Sequence, residues 1–210
     1  MSELIVAIDG PAGSGKSTVA RALADRLQWS FLDTGAMYRA ITVEALTRGL
    51  DIHDSEALGA LSATSVVRTL PRVVVNGRDV EDEIRSDRIN QAVSVVAANP
   101  IVRATMVARQ REFAHAQTRG TVVEGRDITT VVFPNATIKV YLTASLEERV
   151  RRRGGDEGEA SLARRDVADT TRVTSPLRVA DDAIEIDTTS RDVADVVEEI
   201  VQCLKLKTSF

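Results

Sequence analysis

The residues with the clearest chemistry lie in one short stretch near the start of the chain. Residues 10–18 read Gly-Pro-Ala-Gly-Ser-Gly-Lys-Ser-Thr and fit G-x-x-x-x-G-K-[ST], with Gly10, Gly15, Lys16 and Ser17 in the fixed places. Glycines let consecutive backbone N–H groups turn toward an anion, because no Cβ obstructs them. After such a turn, a lysine can contact the β- and γ-phosphates, and a hydroxyl can bind a magnesium ion. The stretch therefore predicts a site for a nucleoside triphosphate with Mg²⁺.

The sequence on either side supplies the elements that position this loop. Residues 4–8 form a short apolar run typical of a buried parallel strand. Val19, Leu23 and Leu27 recur at helical spacing after the loop. The new helix would add its positive N-terminal dipole to the phosphate site. The residues expected to bind the triphosphate are Gly10, Pro11, Ala12, Gly13, Ser14, Gly15, Lys16, Ser17 and Thr18, with Ser17 as the metal ligand and Lys16 as a catalytic residue.

The reaction class has to come from outside the loop, since many unrelated proteins share it. The chain has no N-K-x-D motif of the kind that reads guanine in small GTPases, and no long apolar strand ending in two carboxylates as in motor ATPases. Instead, arginines lie at several predicted strand and helix ends. That pattern suits phosphoryl transfer between two bound substrates, whose clustered negative charge must be neutralised from several directions.

Composition sets outer limits on the function. The 210 residues carry a net charge of −4, so no global basic field would attract nucleic acid. One cysteine excludes an internal disulfide and fits a reducing compartment, and two histidines make a His/Cys metal cage improbable. No apolar stretch approaches the ~18 residues of a membrane span. We expect a cytoplasmic α/β protein that binds neither nucleic acid nor membrane.

The remaining pattern predicts a parallel-sheet core interrupted twice. Strands are expected at residues 29–33, 121–124, 137–142 and 183–186, and helices at about 34–49, 55–63, 86–99, 102–118, 146–153, 159–170 and 192–204. Short strands near residues 65–80 break the alternation and indicate a small sheet of their own. The expected organisation is one folded unit with core segments 1–50, 101–150 and 176–210, an insertion at 51–100 and an Arg-rich segment at 151–175. That segment is either a lid over the phosphates or a solvated, salt-bridged helix hairpin.

Four motifs in a fixed order resemble one family. They are residues 8–17 around the glycine-rich loop, Leu-Asp-Thr-Gly-Ala-Met-Tyr-Arg at 32–39, Glu-Gly-Arg-Asp at 124–127 followed by Thr-Val-Val-Phe-Pro at 130–134, and Arg-Asp at 165–166 with Asp169 and Arg172. Together they resemble bacterial cytidylate kinases across essentially the whole chain. The resemblance implies a P-loop fold with a parallel sheet, a monophosphate-binding insertion containing a small sheet, and a short helical lid. It implies transfer of the γ-phosphoryl group of MgATP to CMP or dCMP by a monomer.

The resemblance also implies roles for individual residues. Those expected to bind CMP are Thr34, Tyr38, Arg39, Ser94, Arg103, Arg126, Asp127, Arg165, Asp169 and Arg172. Arg126, Arg165 and Arg172 would also be catalytic with Lys16, and Arg153 or its neighbour Arg152 would lie against ATP. On sequence alone, Thr34 could equally be a helix N-cap.

Three positions depart from the family pattern. Ala168 stands where many members carry a lid arginine, and Thr129 and Asn135 replace a glycine and an aspartate.

Two other functions remain open from sequence: a P-loop kinase for a different small molecule, and a nucleotide-binding regulator without kinase activity. The first is disfavoured by Ser94, Arg103 and Asp127, since a hydroxyl acceptor has no base to read.

Overall fold

The chain divides into two compact units in the computed structural model, which describes residues 4–153 and 158–208. The first unit comprises Met1–Leu32 with Phe113–Phe210, and the second comprises Asp33–Glu112. Part of the predicted lid, residues 154–157, lies outside the described residues. The insertion and lid boundaries stay predictions.

Strands and helices alternate along the chain except between residues 55 and 115 and at residues 146–171, where two helices follow each other. The strands are β1 (Ile5–Asp9), β2 (Ser30–Asp33), β3 (Val67–Arg68), β4 (Val74–Val75), β5 (Arg78–Asp79), β6 (Thr121–Glu124), β7 (Ile138–Thr143) and β8 (Ile184–Asp187). The helices are α1 (Lys16–Leu27), α2 (Thr34–Thr47), α3 (Ser55–Thr64), α4 (Asp87–Ala98), α5 (Pro100–His115), α6 (Leu146–Arg152), α7 (Glu159–Thr171) and α8 (Val193–Thr208). A 3₁₀ turn covers Glu83–Arg85 and a π-helical turn covers Ile128–Val132.

The first unit is built on a parallel sheet with strand order β2-β6-β1-β7-β8. Every residue of β1 is buried, as expected of a central parallel strand covered on both faces. Its core includes Val6, Ile8, Leu23 and Ile200, which join the sheet to α1 and α8. In the register, Ile8 lies beside Glu124 and Asp9 beside Tyr141, so β1, β6 and β7 end at the same edge. This edge is where open parallel sheets bind their ligands.

The second unit packs helices against a small antiparallel sheet of order β3-β4-β5. Its core joins Ala40 and Val43 of α2 to Val75, Ile84 and Ile89. The predicted α/β class with a parallel core sheet and a separate small sheet is therefore confirmed.

Two local predictions were wrong in detail, and the structure also excludes the alternative that Thr34 caps α2. The helix expected from residue 102 begins at Pro100, because the Asn99 side chain accepts hydrogen bonds from the backbone N–H groups of Ile101 and Val102 at 2.9 and 3.2 Å. The first two of the short strands expected near residues 65–80 have only two residues each, since Pro71 between them has no N–H to donate to a neighbouring strand. Asp33, not Thr34, caps α2 by accepting a hydrogen bond from the N–H of Ala36 at 2.8 Å.

No single helix among residues 4–153 and 158–208 is long and apolar enough to cross a membrane. Two consecutive helices, Asp87–Ala98 and Pro100–His115, meet the length and composition criteria only when they are counted as one segment, and the chain bends by 90° between them.

Candidate active site

The glycine-rich loop joins the end of β1 to the start of α1 with the backbone shape that sequence predicted. Gly10, Gly13 and Gly15 have φ values of 151°, 80° and 85°, which L side chains rarely adopt. A Cβ on Gly10 would lie 2.1 Å from the carbonyl oxygen of Leu142, and one on Gly13 would lie 2.9 Å from Cβ of Arg149. The loop therefore needs glycine both for its turn and for its close packing against β7 and α6.

Lys16 is buried at the first position of α1. Its ammonium donates to the carbonyl oxygen of Pro11 at 2.6 Å and lies 3.4 Å from the Ser14 hydroxyl, so it is held across the mouth of the loop. Burial, followed by the positive charge of Arg126, lowers the pKa of Lys16 to about 7. A bound polyphosphate would reverse this, since its negative charge favours the charged ammonium.

Ser17 and Glu124 form the arrangement that suits a hard cation. The Ser17 hydroxyl donates to the Glu124 carboxylate across 2.5 Å, at the edge where β1 and β6 end. A hydroxyl and a carboxylate oxygen side by side are the donors that Mg²⁺ prefers. The predicted metal ligand, Ser17, thus has a carboxylate companion that sequence analysis did not assign.

Asp9, the last residue of β1, fixes the turn that follows β6. Its carboxylate accepts hydrogen bonds from the backbone N–H groups of Ile128 and Thr129, at 3.0 and 2.8 Å, and from the Thr129 hydroxyl at 2.7 Å. Burial raises the pKa of Asp9, although these three donors favour its ionised form. The threonine that replaces the family's usual glycine thus gains a role in anchoring the turn next to Arg126 and Asp127.

Two ion pairs connect this turn to the segment around α7. Arg126 donates from Nε to the Asp169 carboxylate at 2.8 Å, and Arg172 Nη2 lies 3.6 Å from Asp127 Oδ1. Burial disfavours the charge of Arg126, but the Asp169 carboxylate outweighs that effect and raises its pKa. Arg165, the fifth predicted residue of this group, is buried on α7. The structure therefore brings Arg126, Asp127, Asp169 and Arg172 into two neighbouring pairs.

Arginines of α6 contact the glycine-rich loop directly. Arg149 donates from Nη1 to the Ala12 carbonyl oxygen at 3.1 Å and to the Asp166 carboxylate at 2.6 Å. Arg152 donates to the hydroxyl and carbonyl oxygens of Thr188 at 2.9 and 2.6 Å, and its Nη1 would be 3.4 Å from a Cβ on Gly15. Thr188 in turn donates to the carbonyl of Ser14. Of the two candidates beside ATP, Arg152 is the one placed against the loop; Arg153 is half-buried at the end of α6.

The predicted acceptor residues of the second unit form a separate group on α2, α4 and α5. The Arg103 guanidinium lies over the Tyr38 ring, 5.6 Å from its centroid, and donates to the Ala97 carbonyl at 3.2 Å. Arg39 donates to the Ile84 carbonyl and to the Asn90 side chain at 2.6 and 2.8 Å. Ser94 lies one helical turn after Asn90 and is half-buried, and Thr34 is buried at the start of α2.

Sequence reasoning missed several residues of these groups: Asp9, Asn90, Glu124, Arg149, Asp166 and Thr188. Asp9 and Glu124 could have been proposed from sequence, because each is a carboxylate at the carboxyl end of a predicted strand, where parallel sheets bind ligands. Arg149 and Asp166 could not, since one arginine among several on a charged helix is indistinguishable from a solvated one.

Comparison with known proteins agrees with this picture. The family model described as cytidylate kinase matches residues 6–206. The cytidylate kinase of Geobacillus kaustophilus (strain HTA426) is 49% identical over 213 residues, covering 94% of each chain. The cytidylate kinase of Rhodococcus jostii (strain RHA1) is 46% identical over 223 residues, covering 99% of this chain and 97% of its own.

Solved structures agree at the level of the fold. A gluconokinase from Sinorhizobium meliloti 1021 superposes with a TM-score of 0.51 at 16% identity, covering 97% of this chain and 92% of its own. The family model and the two cytidylate kinase relatives confirm the resemblance seen in the four motifs: the chain belongs to the cytidylate kinase family.

Proposed function

We propose that this chain transfers the γ-phosphoryl group of MgATP to CMP or dCMP, giving CDP or dCDP in pyrimidine nucleotide metabolism. The observation that carries the proposal is the family match across residues 6–206, and it is supported by the positive φ angles of Gly10, Gly13 and Gly15 in the glycine-rich loop. We further propose that it acts as a cytoplasmic monomer without nucleic-acid or membrane partners.

The triphosphate is proposed to bind residues 10–18. Backbone N–H groups of the loop and the α1 dipole would hold the β-phosphate, and Lys16 would contact the β- and γ-phosphates. Ser17 and Glu124 would hold Mg²⁺, either directly or through water. When bound, the metal supplies positive charge that neutralises the phosphate oxygens as the transferring group develops charge. Arg152 would lie beside the loop at Gly15, with Arg153 as the other candidate.

The acceptor phosphate is proposed to meet Arg126, Arg165 and Arg172. Guanidinium groups bind phosphate oxygens in a planar, two-pronged geometry, so three of them can oppose the charge of two approaching phosphates. Asp127 and Asp169 hold two of these arginines in place without ligand. In the complex, Asp169 would accept from the sugar hydroxyls and Asp127 from the base amino group. No general base is required, because the acceptor phosphate is already anionic at neutral pH.

The cytosine base is proposed to be read by the second unit. Arg103 and Ser94 would contact its ring nitrogen and amino group, with Tyr38 and Thr34 lining the pocket and Arg39 on the phosphate. The contact of Arg103 with the Tyr38 ring supports this, since it fixes the guanidinium in one orientation before any base binds.

The test is ADP release by the purified protein with MgATP and one acceptor at a time: CMP, dCMP, UMP, AMP, dTMP or shikimate. The proposal expects CMP and dCMP to stimulate release well above the other four. Preference for AMP or for shikimate would mean that the glycine-rich loop is assigned correctly and the acceptor is not. If none of the six stimulates release while MgATP still binds, the protein is a nucleotide-binding regulator.

A further inference from the structure

An apolar cavity lies in the first unit at the end of the sheet away from the glycine-rich loop. It encloses about 350 Å³, within the range of small-molecule pockets. Its lining comes from the start of β1, the end of α1, the segments before β2 and β6, and the end of α8: Leu4, Arg26, Leu27, Trp29, Arg119, Val201, Leu204 and Lys205. α1 has 12 residues and is therefore about 18 Å long. Since the loop begins this helix and the cavity lies at its other end, the two sites do not overlap.

The cavity combines an apolar floor with a positive rim. Leu27, Val201 and Leu204 supply aliphatic surface, and the half-buried Trp29 supplies a flat aromatic wall. The three charged residues of the lining, Arg26, Arg119 and Lys205, are all cations. Arg26 lies 3.8 Å from Glu198. Within the described part of the chain, Arg119 and Lys205 have no carboxylate within salt-bridge distance and are exposed.

The aromatic wall is held in place by the backbone. Gly120 has φ of 149°, and a Cβ there would lie 2.6 Å from the Trp29 ring, so the indole packs directly on the glycine. The backbone on both sides is also fixed: the main-chain N–H of Trp29 donates to the Ala24 carbonyl at 2.9 Å, and that of Ser30 donates to the Gly120 carbonyl at 3.1 Å. The tryptophan ring is therefore a fixed surface on which a flat ring can stack.

We propose that this cavity binds a small amphipathic anion with an aromatic body and one acidic group. The body would fill the apolar floor against Trp29, and the acidic group would meet Arg119 and Lys205. A second copy of the chain fits less well, because a symmetric contact through this face would bring both sets of three cations together. The proposal goes beyond the phosphoryl-transfer function and does not depend on it.

The probe is 1-anilinonaphthalene-8-sulfonate, titrated into the whole chain first without nucleotide and then with saturating ADP and CMP, which occupy both nucleotide sites without phosphoryl transfer. Trp29 is the only tryptophan, so energy transfer from tryptophan to the dye reports binding close to this cavity. We expect saturable binding at one site. 2-Naphthoate should displace the dye, and neutral 2-naphthalenemethanol should compete about tenfold more weakly, because it lacks the anionic group.

The matched variants are Arg119→Ala combined with Lys205→Ala, and Lys207→Ala as the control on the same helix. All three side chains are exposed, so the fold should be unaffected. We expect the double variant to weaken dye binding by about tenfold or more and the control to match the wild type. The proposal is overturned by unchanged affinity in the double variant, by the lack of a saturable signal, by loss of the signal when ADP and CMP are added, or by dye binding that tracks dimerisation in sedimentation velocity.

Discussion

At the scale of single residues, Lys16 and Asp169 separate catalysis from acceptor binding. Lys16 is held against the carbonyl of Pro11 in the loop proposed to bind the transferring phosphates, whereas Asp169 pairs with Arg126. We expect Lys16→Met to lower kcat by roughly 10³-fold or more, because charge on the transferring group loses its partner. Asp169→Asn should mainly raise KM for CMP, by about tenfold, with a smaller change in kcat. Steady-state kinetics with circular dichroism as a fold check would show this; equal loss of kcat in both variants would refute the division.

Thr129 offers a test of the anchor at Asp9. Its hydroxyl donates to a buried carboxylate, so Thr129→Val should cost about 1.5–3 kcal/mol in the free energy of unfolding. Thr42→Val is the matched control, since Thr42 is equally buried but donates to the neutral carbonyl of Tyr38. That variant should cost about 0.5–1.5 kcal/mol. Urea denaturation measures both, and an equal cost would mean that the Thr129 hydroxyl contributes no more at Asp9 than a hydroxyl bonded to a neutral carbonyl.

What sequence could predict at this scale depends on whether the chemistry is local. The residues of the loop at 10–18 could be placed because their roles follow from adjacent backbone and a fixed spacing. Glu124 beside Ser17 and Arg149 beside Ala12 could not, since each pair joins residues more than 100 positions apart. Such pairs become visible only when strand order is known.

At the scale of elements, the glycine-rich loop is constrained by what packs on it. Gly13 and Gly77 have nearly the same φ, 80° and 83°. A Cβ at Gly13 would have neighbouring atoms within 4 Å, whereas a Cβ at Gly77 would have none among the residues that the structure describes. Gly77→Ala should therefore cost about 1 kcal/mol of backbone strain. Gly13→Ala should cost 1–3 kcal/mol more, roughly, because Cβ and the carbonyl oxygen of Arg149 must move. Thermal or urea unfolding of the two variants measures the difference, and equal costs would show that α6 does not press on the loop.

α6 also carries a pH-dependent contact. Hydrogen bonds from Arg151 and then Arg152 lower the pKa of Glu148 to about 2. Because this folded-state pKa lies below its ordinary value of 4.5, the stabilisation is complete above pH 4.5 and is lost between pH 4.5 and 2. Glu148→Gln should be less stable than wild type at pH 7, and the gap should narrow as pH falls below 4.5. Urea midpoints from pH 7 to 3.5 test this, with Glu147→Gln as control; a gap independent of pH would contradict the assignment.

The helix pair α6 and α7 carries both exposed and buried arginines, and the choice between a lid and a solvated hairpin stays a prediction. Arg151 is exposed and pairs with Glu148, as in a solvated hairpin. Arg149 and Arg165 are buried instead, and Arg149 reaches both the loop and Asp166 on α7. Composition could not distinguish these residues, because burial of one face of a charged helix is decided by what it packs against.

At the scale of the whole molecule, alternation of strand and helix predicted the parallel core sheet and the interruption after residue 50. Strand order within that sheet was beyond the pattern, because apolar periodicity shows which faces are buried and not which strands are neighbours. The short strands of the second unit were overestimated for a related reason. Apolar runs indicate burial there, but Pro71 and the turn at Asn76 limit how many residues form hydrogen bonds between the strands.

The central claim is that this chain phosphorylates cytidine monophosphates. The most direct measurement is a competition reaction in which limiting MgATP, labelled with ³²P in its γ-phosphate, is offered equal amounts of CMP, dCMP, UMP and AMP. The labelled diphosphates are separated and quantified, since the ADP left by the donor carries no label. The account predicts that CDP and dCDP make up nearly all of the product, and that Arg103→Met reduces this preference over UDP. A product mixture dominated by ADP formed from AMP, or by UDP, would contradict it.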